Sequence, residues 1–263
     1  MPALRMAPAV RRAAGIVGAA GALVAAPALG QTMAFHQAFN ALKDGNCVTA
    51  GEVVNRGIDS NVAEMLYMAG VMLELGLCVD ADPKRARTLY AAAAKAGDAG
   101  AARRLGEVFA RGEGVPRSYR HAAALFEHAA RLADDPDRPA VRELGLPPDP
   151  GSADDLWTNY LTAVATMAHR YFAYTHEMAK SRSAGAVRLR LCPGRAGVTT
   201  QVLTGATATD SAATPEDLVA EVRRGAEEML KQMPPPTTVA LGRPYCGEIE
   251  IRFHVPDWGR STR

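Results

Sequence analysis

Four cysteines are the residues of this chain best suited to covalent or metal-binding chemistry: Cys47, Cys78, Cys192 and Cys246. No two of them form a CxxC pair, and no histidine stands near one at the spacing of a zinc site. The sequence therefore predicts no metal and no cofactor. In an exported chain, four cysteines favour two disulfides. The alternative is four buried or free thiols.

The other side chains do not form a recognisable catalytic set. The six histidines, at positions 36, 121, 128, 169, 176 and 254, do not stand with carboxylates at ligand spacing. His121 and His128 are seven residues apart, which predicts a shared and partly exposed helix face. No nucleophile elbow, phosphate-binding loop or dinucleotide fingerprint occurs. We predict that the protein is not an enzyme, since one acting on cell-wall material or peptides would need paired carboxylates or a nucleophile–base pair.

The first thirty residues have the pattern of a secretory signal peptide. Three arginines precede an apolar run from Ala13 to Leu29, and small residues occupy the −3 and −1 positions before Gln31. The alternative is an uncleaved anchor, for which a run of 17 residues is marginal. Removing the three arginines from the 30 basic side chains leaves 27, against 28 acidic ones, so nucleic-acid binding is not expected. We predict a periplasmic protein, or an inner-membrane one facing the periplasm if the segment stays.

Two stretches of the chain, residues 69–94 and 105–130, are copies of one pattern offset by 36 residues. Each predicts a helix, a short turn and a second helix, with Gly76, Gly112 and Gly114 as turn residues. The second copy keeps a spaced set of small and aromatic residues: Ala101 or Ala102, Leu105-Gly106, Phe109, Gly112, Gly114-Val115, Ala122, Phe126 and Ala129-Ala130. With these residues it resembles the Sel-one-like repeat, a relative of the tetratricopeptide family. The resemblance covers about residues 33–132, with 33–58 as a degraded first unit, and implies stacked helical hairpins at 31–133 that bind proteins.

The first two cysteines fall at corresponding turns of adjacent units. A Cys47–Cys78 disulfide would clamp a short array, because about three units are usually needed to bury a continuous core. Neighbouring turns can also lie too far apart for a bridge. The sequence therefore leaves this pairing open.

A second domain follows a change in composition after Ala133. Residues 134–155 are rich in proline and aspartate and predict a linker before a domain at 156–263. The predicted elements are a helix at 156–174, a hairpin of strands 185–192 and 198–203, a helix from Thr214 to about Met233, and a strand at 246–255. The predicted fold is mixed, α with α/β: a helical repeat array, then a small α+β domain. Its three-stranded antiparallel or mixed sheet follows the order helix–strand–strand–helix–strand.

One register of this sheet pairs the cysteines, the opposite charges and the apolar residues at the same time. If the first strand lies between the others, it runs antiparallel to the last strand. With Cys192 opposite Cys246, opposed residue numbers sum to 438. Two charge pairs then face each other, Arg190 with Glu248 and Arg188 with Glu250, while apolar residues meet on the other face. We therefore predict a Cys192–Cys246 disulfide; the alternative is two solvated faces with unlinked thiols.

This order of elements resembles the C-terminal domain of TonB and TolA over about residues 156–255. The matching residues are Tyr174 and Ala179, the hairpin residues 185–189 and 197–198, Thr204-Gly205, and the prolines 234–236. Thr175 stands where the family has proline. The long periplasm-spanning linker of TonB is missing, because residues 134–155 reach only about 70 Å when fully extended.

The two resemblances together predict a non-catalytic adaptor of the TonB family in the periplasm. The repeats would dock one protein of the cell envelope, and the TonB-like domain would engage another. The alternative is a membrane-anchored energy transducer of the TonB type for outer-membrane transport, which requires residues 13–29 to remain as an anchor. A membrane partner is expected only in that case.

Overall fold

The computed structural model describes residues 27–135, 138–148, 153–181, 184–194, 197–203, 215–236 and 245–253. It divides into two compact units. The first contains the described residues up to Leu105 together with 127–145, and the second contains 106–126 together with the described residues from Leu146 onward. The division falls within two helices of the repeat region. The boundary that the sequence places at 134–155 stays a prediction.

The repeat region consists of six helices. They are α1 (Pro27–Lys43), α2 (Cys47–Asp59), α3 (Ala63–Leu75), α4 (Pro83–Ala96), α5 (Ala99–Arg111) and α6 (Tyr119–Asp134). α1 runs through the predicted cleavage point between Gly30 and Gln31. Within the described ranges, no helix is long and apolar enough to cross a membrane.

Local sequence signals explain where these helices begin and end. The Asn46 side chain accepts a hydrogen bond from the Thr49 N–H at 3.1 Å at the start of α2. Asp82 does the same for Arg85 at 3.0 Å at the start of α4, where Pro83 occupies the first turn. Gly76 closes α3 with a φ of 68°. Short turns between capped helices give the hairpin geometry that the repeat pattern predicts.

The core of the first unit is built largely from small and unbranched side chains. Alanine and methionine dominate where α3 packs on α4, which lets the two helix backbones approach closely. Fully buried members of this core include Ala50, Val54, Met65, Leu66, Ala69, Met72, Leu73, Ala93 and Ala94. The helical array predicted from the sequence is confirmed.

The second unit contains a three-stranded sheet and its covering helices. Its further elements are α7 (Ala153–Met167), a 3-10 turn at 168–170, α8 (His176–Ser181), β1 (Gly185–Gly194), β2 (Gly197–Leu203), α9 (Pro215–Gln232) and β3 (Gly247–Phe253). The strand order is β2-β1-β3, with β1 antiparallel to both neighbours. The predicted fold class is confirmed, and the antiparallel form of its sheet is the one observed.

One face of this sheet is buried in the core of the second unit. Residues alternate along β3 between buried and exposed, as a half-buried strand requires. α7 and α9 supply the other side of the core with aromatic and methionine side chains. Fully buried members include Trp157, Tyr160, Met167, Leu189, Leu191, Val222, Ala226 and Met229. The opposite face of the sheet carries charged side chains and is exposed.

Candidate functional site

An apolar groove lies on the first unit between α1 and α3. Its volume is about 410 Å³. The described residues that line it are Phe35, Phe39, Leu42, Lys43, Tyr67, Met68, Val71 and Leu77. We call this surface the α1–α3 groove. Its walls are almost wholly hydrocarbon, with the Tyr67 hydroxyl and the Lys43 amine as the polar groups of its side chains.

Helical spacing explains how the groove forms. Phe35, Phe39 and Leu42 follow one another at i, i+4 and i+7, so α1 presents them on one face. The two phenylalanine rings are nearly parallel, with centroids 6.4 Å apart and an interplanar angle of 8°. Leu77 joins them from the turn after α3. Phe39 is 52% exposed and Leu77 is 40% exposed, so the groove is open to solvent.

A partly buried polar cluster holds the Tyr90 ring next to Tyr67. The rings of Tyr67 and Tyr90 lie 5.7 Å apart. The Tyr90 hydroxyl donates to Glu74 at 2.5 Å, and the Arg104 Nε donates to the same carboxylate at 3.1 Å. Burial, and then the hydrogen bond to Glu74, raise the pKa of the Tyr90 hydroxyl far above its ordinary value. Tyr90 therefore stays a neutral donor and holds its ring in one orientation.

Repeat packing alone does not require the apolar character of the groove. At the 36-residue offset, the four lining positions of α3 and its turn become charged in the second copy. Arg103, Arg104, Glu107 and Glu113 stand there in place of Tyr67, Met68, Val71 and Leu77. The helical hairpin of the second copy thus accommodates charge at these positions, with Glu107 paired to Arg170. An exposed apolar surface that the fold does not need is typical of a binding site.

A disulfide joins Cys47 to Cys78 at one end of the groove, with their Cα atoms 5.2 Å apart. Cys47 is the first residue of α2, and Cys78 directly follows the groove residue Leu77. Cys78 has a φ of 60°, a left-handed value, and Gly114 occupies the equivalent position in the second copy with a φ of 67°. The bond therefore holds a cysteine in a conformation that the other repeat gives to glycine.

The three predicted turn glycines all have left-handed backbone. Their φ values are 68° for Gly76, 72° for Gly112 and 67° for Gly114. They lie at the ends of the first helices of the two copies and let the chain reverse direction. Their role is to shape the repeat rather than to contact a ligand.

The repeat region matches a known family of repeats. Residues 63–98 and 99–134 each match the family model of the Sel1 repeat. The two matches are adjacent and keep the 36-residue offset, so the Sel-one-like repeat predicted from the sequence is confirmed. Sel1 repeats indicate a scaffold for protein–protein interaction, and the matched family is not a catalytic one.

Among solved structures, the chain is similar to the crystal structure of a protective antigen present in uropathogenic Escherichia coli strains, which displays an SLR fold. The sequence identity is 18% and the TM-score is 0.37. The similarity covers 52% of this chain and 30% of that chain. No curated protein matches the sequence.

The predicted cysteine and charge pairs of the sheet lie outside the Sel1 repeats, in the second unit. A disulfide joins Cys192 to Cys246, with Cα atoms 4.2 Å apart. Arg190 lies opposite Glu248 in the register, and its Nη2 lies 2.6 Å from the Glu248 Oε1. The two disulfides indicate an oxidising, exported environment.

The second charge pair has the expected backbone register and a different side-chain contact. Arg188 lies opposite Glu250 along the strands. Its Nη1 reaches diagonally to the Glu248 Oε2 at 3.7 Å, while Glu250 contacts Arg252 on its own strand. Long side chains reach diagonal neighbours on one sheet face, which the register alone does not determine. These pairs are exposed and do not form a pocket.

Two buried carboxylates were not singled out by the sequence. Glu107 in α5 is 1% exposed and forms an ion pair with Arg170. Glu221 in α9 accepts hydrogen bonds from the Ala173 N–H at 3.0 Å and from Arg224 at 2.6 Å. Burial acts to raise the pKa of Glu221, but these hydrogen bonds outweigh it and the net pKa is lowered. Each carboxylate is paired with an arginine of the second unit, Arg170 for Glu107 and Arg224 for Glu221.

The predicted exposure of the histidines in the second Sel1 repeat is wrong for His128. It is buried, and its Nε2 lies 3.3 Å from the Ala94 carbonyl oxygen. The His121 Nε2 lies 2.9 Å from the Pro147 carbonyl oxygen. Among the described residues, no group of three or more histidine, cysteine, aspartate or glutamate side chains could hold a metal ion.

Proposed function

We propose that this protein is a non-catalytic adaptor of the cell envelope, in which the Sel1 repeats bind one protein and the C-terminal domain binds another. The α1–α3 groove is the observation that carries the proposal. It exposes aromatic and aliphatic side chains at positions where the second Sel1 repeat has charges. Buried aromatic anchors supply much of the binding energy at protein interfaces, so a partner that covers Phe39 gains affinity.

The second binding surface belongs to the C-terminal sheet. β2 and β3 are the edge strands of the sheet among the described residues, and a strand of a partner can add to a sheet edge through main-chain hydrogen bonds. The resemblance to the C-terminal domain of TonB and TolA supports this role. We assign the more specific part of the function to this domain, within the TonB family.

Export to the periplasm supports both roles. The pattern of residues 1–30 is that of a signal peptide, and both disulfides need an oxidising compartment to persist. Residues 1–26 lie outside the described part of the chain. Edman sequencing or mass spectrometry of the exported protein should therefore find Gln31 at the N-terminus, whereas retention of residues 13–29 would favour the anchored transducer.

Crosslinking of the epitope-tagged full chain in intact cells tests the adaptor. We expect at least two envelope proteins to be recovered, compared with an equally tagged exported protein of unrelated fold. One should be lost on substitution in the α1–α3 groove. The other should be lost when Thr200→Pro blocks the β2 edge, with Thr200→Ala as a matched control that keeps the main-chain donor at that position. Recovery of no specific partner by the wild-type chain would disprove the proposal.

A further inference from the structure

We propose that the α1–α3 groove binds an amphipathic helix whose apolar stripe ends in an acidic residue that meets Lys43. This inference rests on the proposed adaptor function and names the chemistry of the partner at the Sel1 repeats. Three features of the groove support it: the scarcity of hydrogen-bonding groups, the open side, and the cationic side chain of Lys43 among the described lining residues.

The hydrocarbon walls favour a helix over an extended peptide. An extended segment carries unpaired N–H and C=O groups that need partners when they are buried. Among the described lining residues, the side chains offer only the Tyr67 hydroxyl and the Lys43 amine as polar groups. A helix satisfies its own backbone and presents only side chains. Its apolar residues at i, i+4 and i+7 match the spacing of Phe35, Phe39 and Leu42 across the groove.

The open side of the groove favours a helix over a single acyl chain. Phe39 is 52% exposed and Leu77 is 40% exposed at the rim. An acyl chain lying in the groove would leave both rims in water. A helix is about 10 Å wide with its side chains and covers both rims while it fills the space between them.

The charge of the groove favours an acidic partner and opposes a second copy of this chain. Lys43 is the charged residue among the described side chains that line the groove; Asp44, which follows it in the chain, is not among them. Two copies packed groove to groove would bring like surfaces together and place two Lys43 amines on the same interface. A partner helix with an aspartate or glutamate at the end of its stripe offers the complementary charge.

Fluorescence anisotropy with synthetic peptides and the disulfide-intact full chain tests this inference. The probe is a labelled alanine-based helix with leucines at i, i+4, i+7 and i+11 and a glutamate at the end of that stripe. We expect saturable binding. A peptide with lysine in place of that glutamate should bind about two- to fivefold more weakly, the range of an exposed ion pair. A scrambled peptide of equal composition should not saturate.

Substitutions in the chain locate the binding site. Phe39→Ala should weaken binding at least about tenfold, as for an aromatic anchor. Leu77→Glu introduces the residue type of the equivalent position in the second copy and should abolish binding. Leu75→Glu makes the same change at a leucine that is 64% exposed and outside the groove lining, and should bind the probe like the wild type. Lys43→Glu should reverse the preference between the glutamate and lysine peptides. Circular dichroism verifies that each variant folds.

Four results would overturn the inference. The first two are equal binding of the striped and scrambled peptides, and an unchanged peptide preference in Lys43→Glu. The third is saturable binding of a fluorescent fatty acid that Leu77→Glu abolishes and that no peptide displaces. The fourth is a wild-type dimer, seen by sedimentation velocity, that Leu77→Glu dissociates. The adaptor function has a separate readout. If Leu77→Glu still recovers both crosslinked envelope proteins, the groove assignment is wrong and the adaptor function stands. If the wild type binds the probe but recovers no envelope protein, the groove binds a helix and the adaptor function is wrong.

Discussion

Tyr90 packs its ring directly on the backbone of Gly70. A Cβ atom at position 70 would lie 2.5 Å from the Tyr90 Cε1. The second copy repeats the relationship, since a Cβ at Gly106 would lie 2.6 Å from the Phe126 Cε1. Glycine at this position lets an aromatic ring of the second helix lie against the backbone of the first. Both Sel1 repeats contain this contact, whereas only the first repeat contributes residues to the α1–α3 groove.

Gly70→Ala should therefore destabilise the protein, although alanine favours helix. The added methyl group must displace a ring that Glu74 holds by a hydrogen bond, and overpacking of this kind costs about 1–3 kcal/mol. Urea unfolding followed by circular dichroism measures the change. In a Tyr90→Leu background the same substitution should cost less, because the clashing ring is gone. Equal costs in the two backgrounds would show that Tyr90 is not the cause.

Loss of the Cys47–Cys78 bond should depend on what replaces Cys78. The double substitution Cys47→Ser with Cys78→Ser removes a bridge across 31 residues, which costs about 3–4 kcal/mol in the chain-entropy model. Cys47→Ser with Cys78→Gly should recover about 1 kcal/mol, because glycine accepts a φ of 60° without strain. Urea unfolding of the two variants gives the difference directly. Identical stabilities would mean that the turn relaxes once the bond is absent.

The Glu221 carboxylate should make stability depend on acid pH. Its pKa in the folded protein is lowered from the ordinary value of 4.5. Its stabilising contribution is therefore complete above pH 4.5 and is lost as the pH falls through the lower folded value. Thermal unfolding between pH 6 and pH 3 should show a shallower loss of Tm for Glu221→Gln than for the wild type. Glu227→Gln, an exposed neighbour on α9, is the matched control and should keep the wild-type slope.

Patterns close together in the sequence predicted much of the fold. The helical hairpins follow from the 36-residue repeat and the turn glycines. The register between β1 and β3 could be predicted because the apolar alternation, the charge pairs and the cysteine pair all fit the same alignment. Residues 185–191 lie opposite 253–247 in the structure, as that alignment requires.

The α1–α3 groove escaped prediction because its residues look like ordinary core residues. Phe35 and Phe39 fit an amphipathic helix, and the sequence does not say whether another element covers that face. A comparison of the two repeat copies could have found the groove, since Val71 is replaced by Glu107. His128 was misjudged for the same reason, because the spacing of residues defines a face and not its environment. The burial of Glu107 and its ion pair could not be predicted either, because its partner Arg170 lies 63 residues away in the sequence.

The buried Glu107 carboxylate yields the last prediction. Arg170→Met should destabilise the second unit by about 1–3 kcal/mol, because it removes the ion-pair partner of a side chain that is only 2% exposed. Arg170 is itself 37% exposed, and solvent screening keeps the cost below that of a fully buried pair.

The double variant Arg170→Met with Glu107→Val should regain most of the lost stability. Valine is the residue of the first copy at this position, and an apolar pair removes the cost of burying a charge there. Urea unfolding of the wild type, both single variants and the double variant gives the coupling free energy. A double variant less stable than Arg170→Met alone would mean that Glu107 is held mainly by its other contacts. In that case the ion pair with Arg170 would not be what stabilises this carboxylate in the second Sel1 repeat.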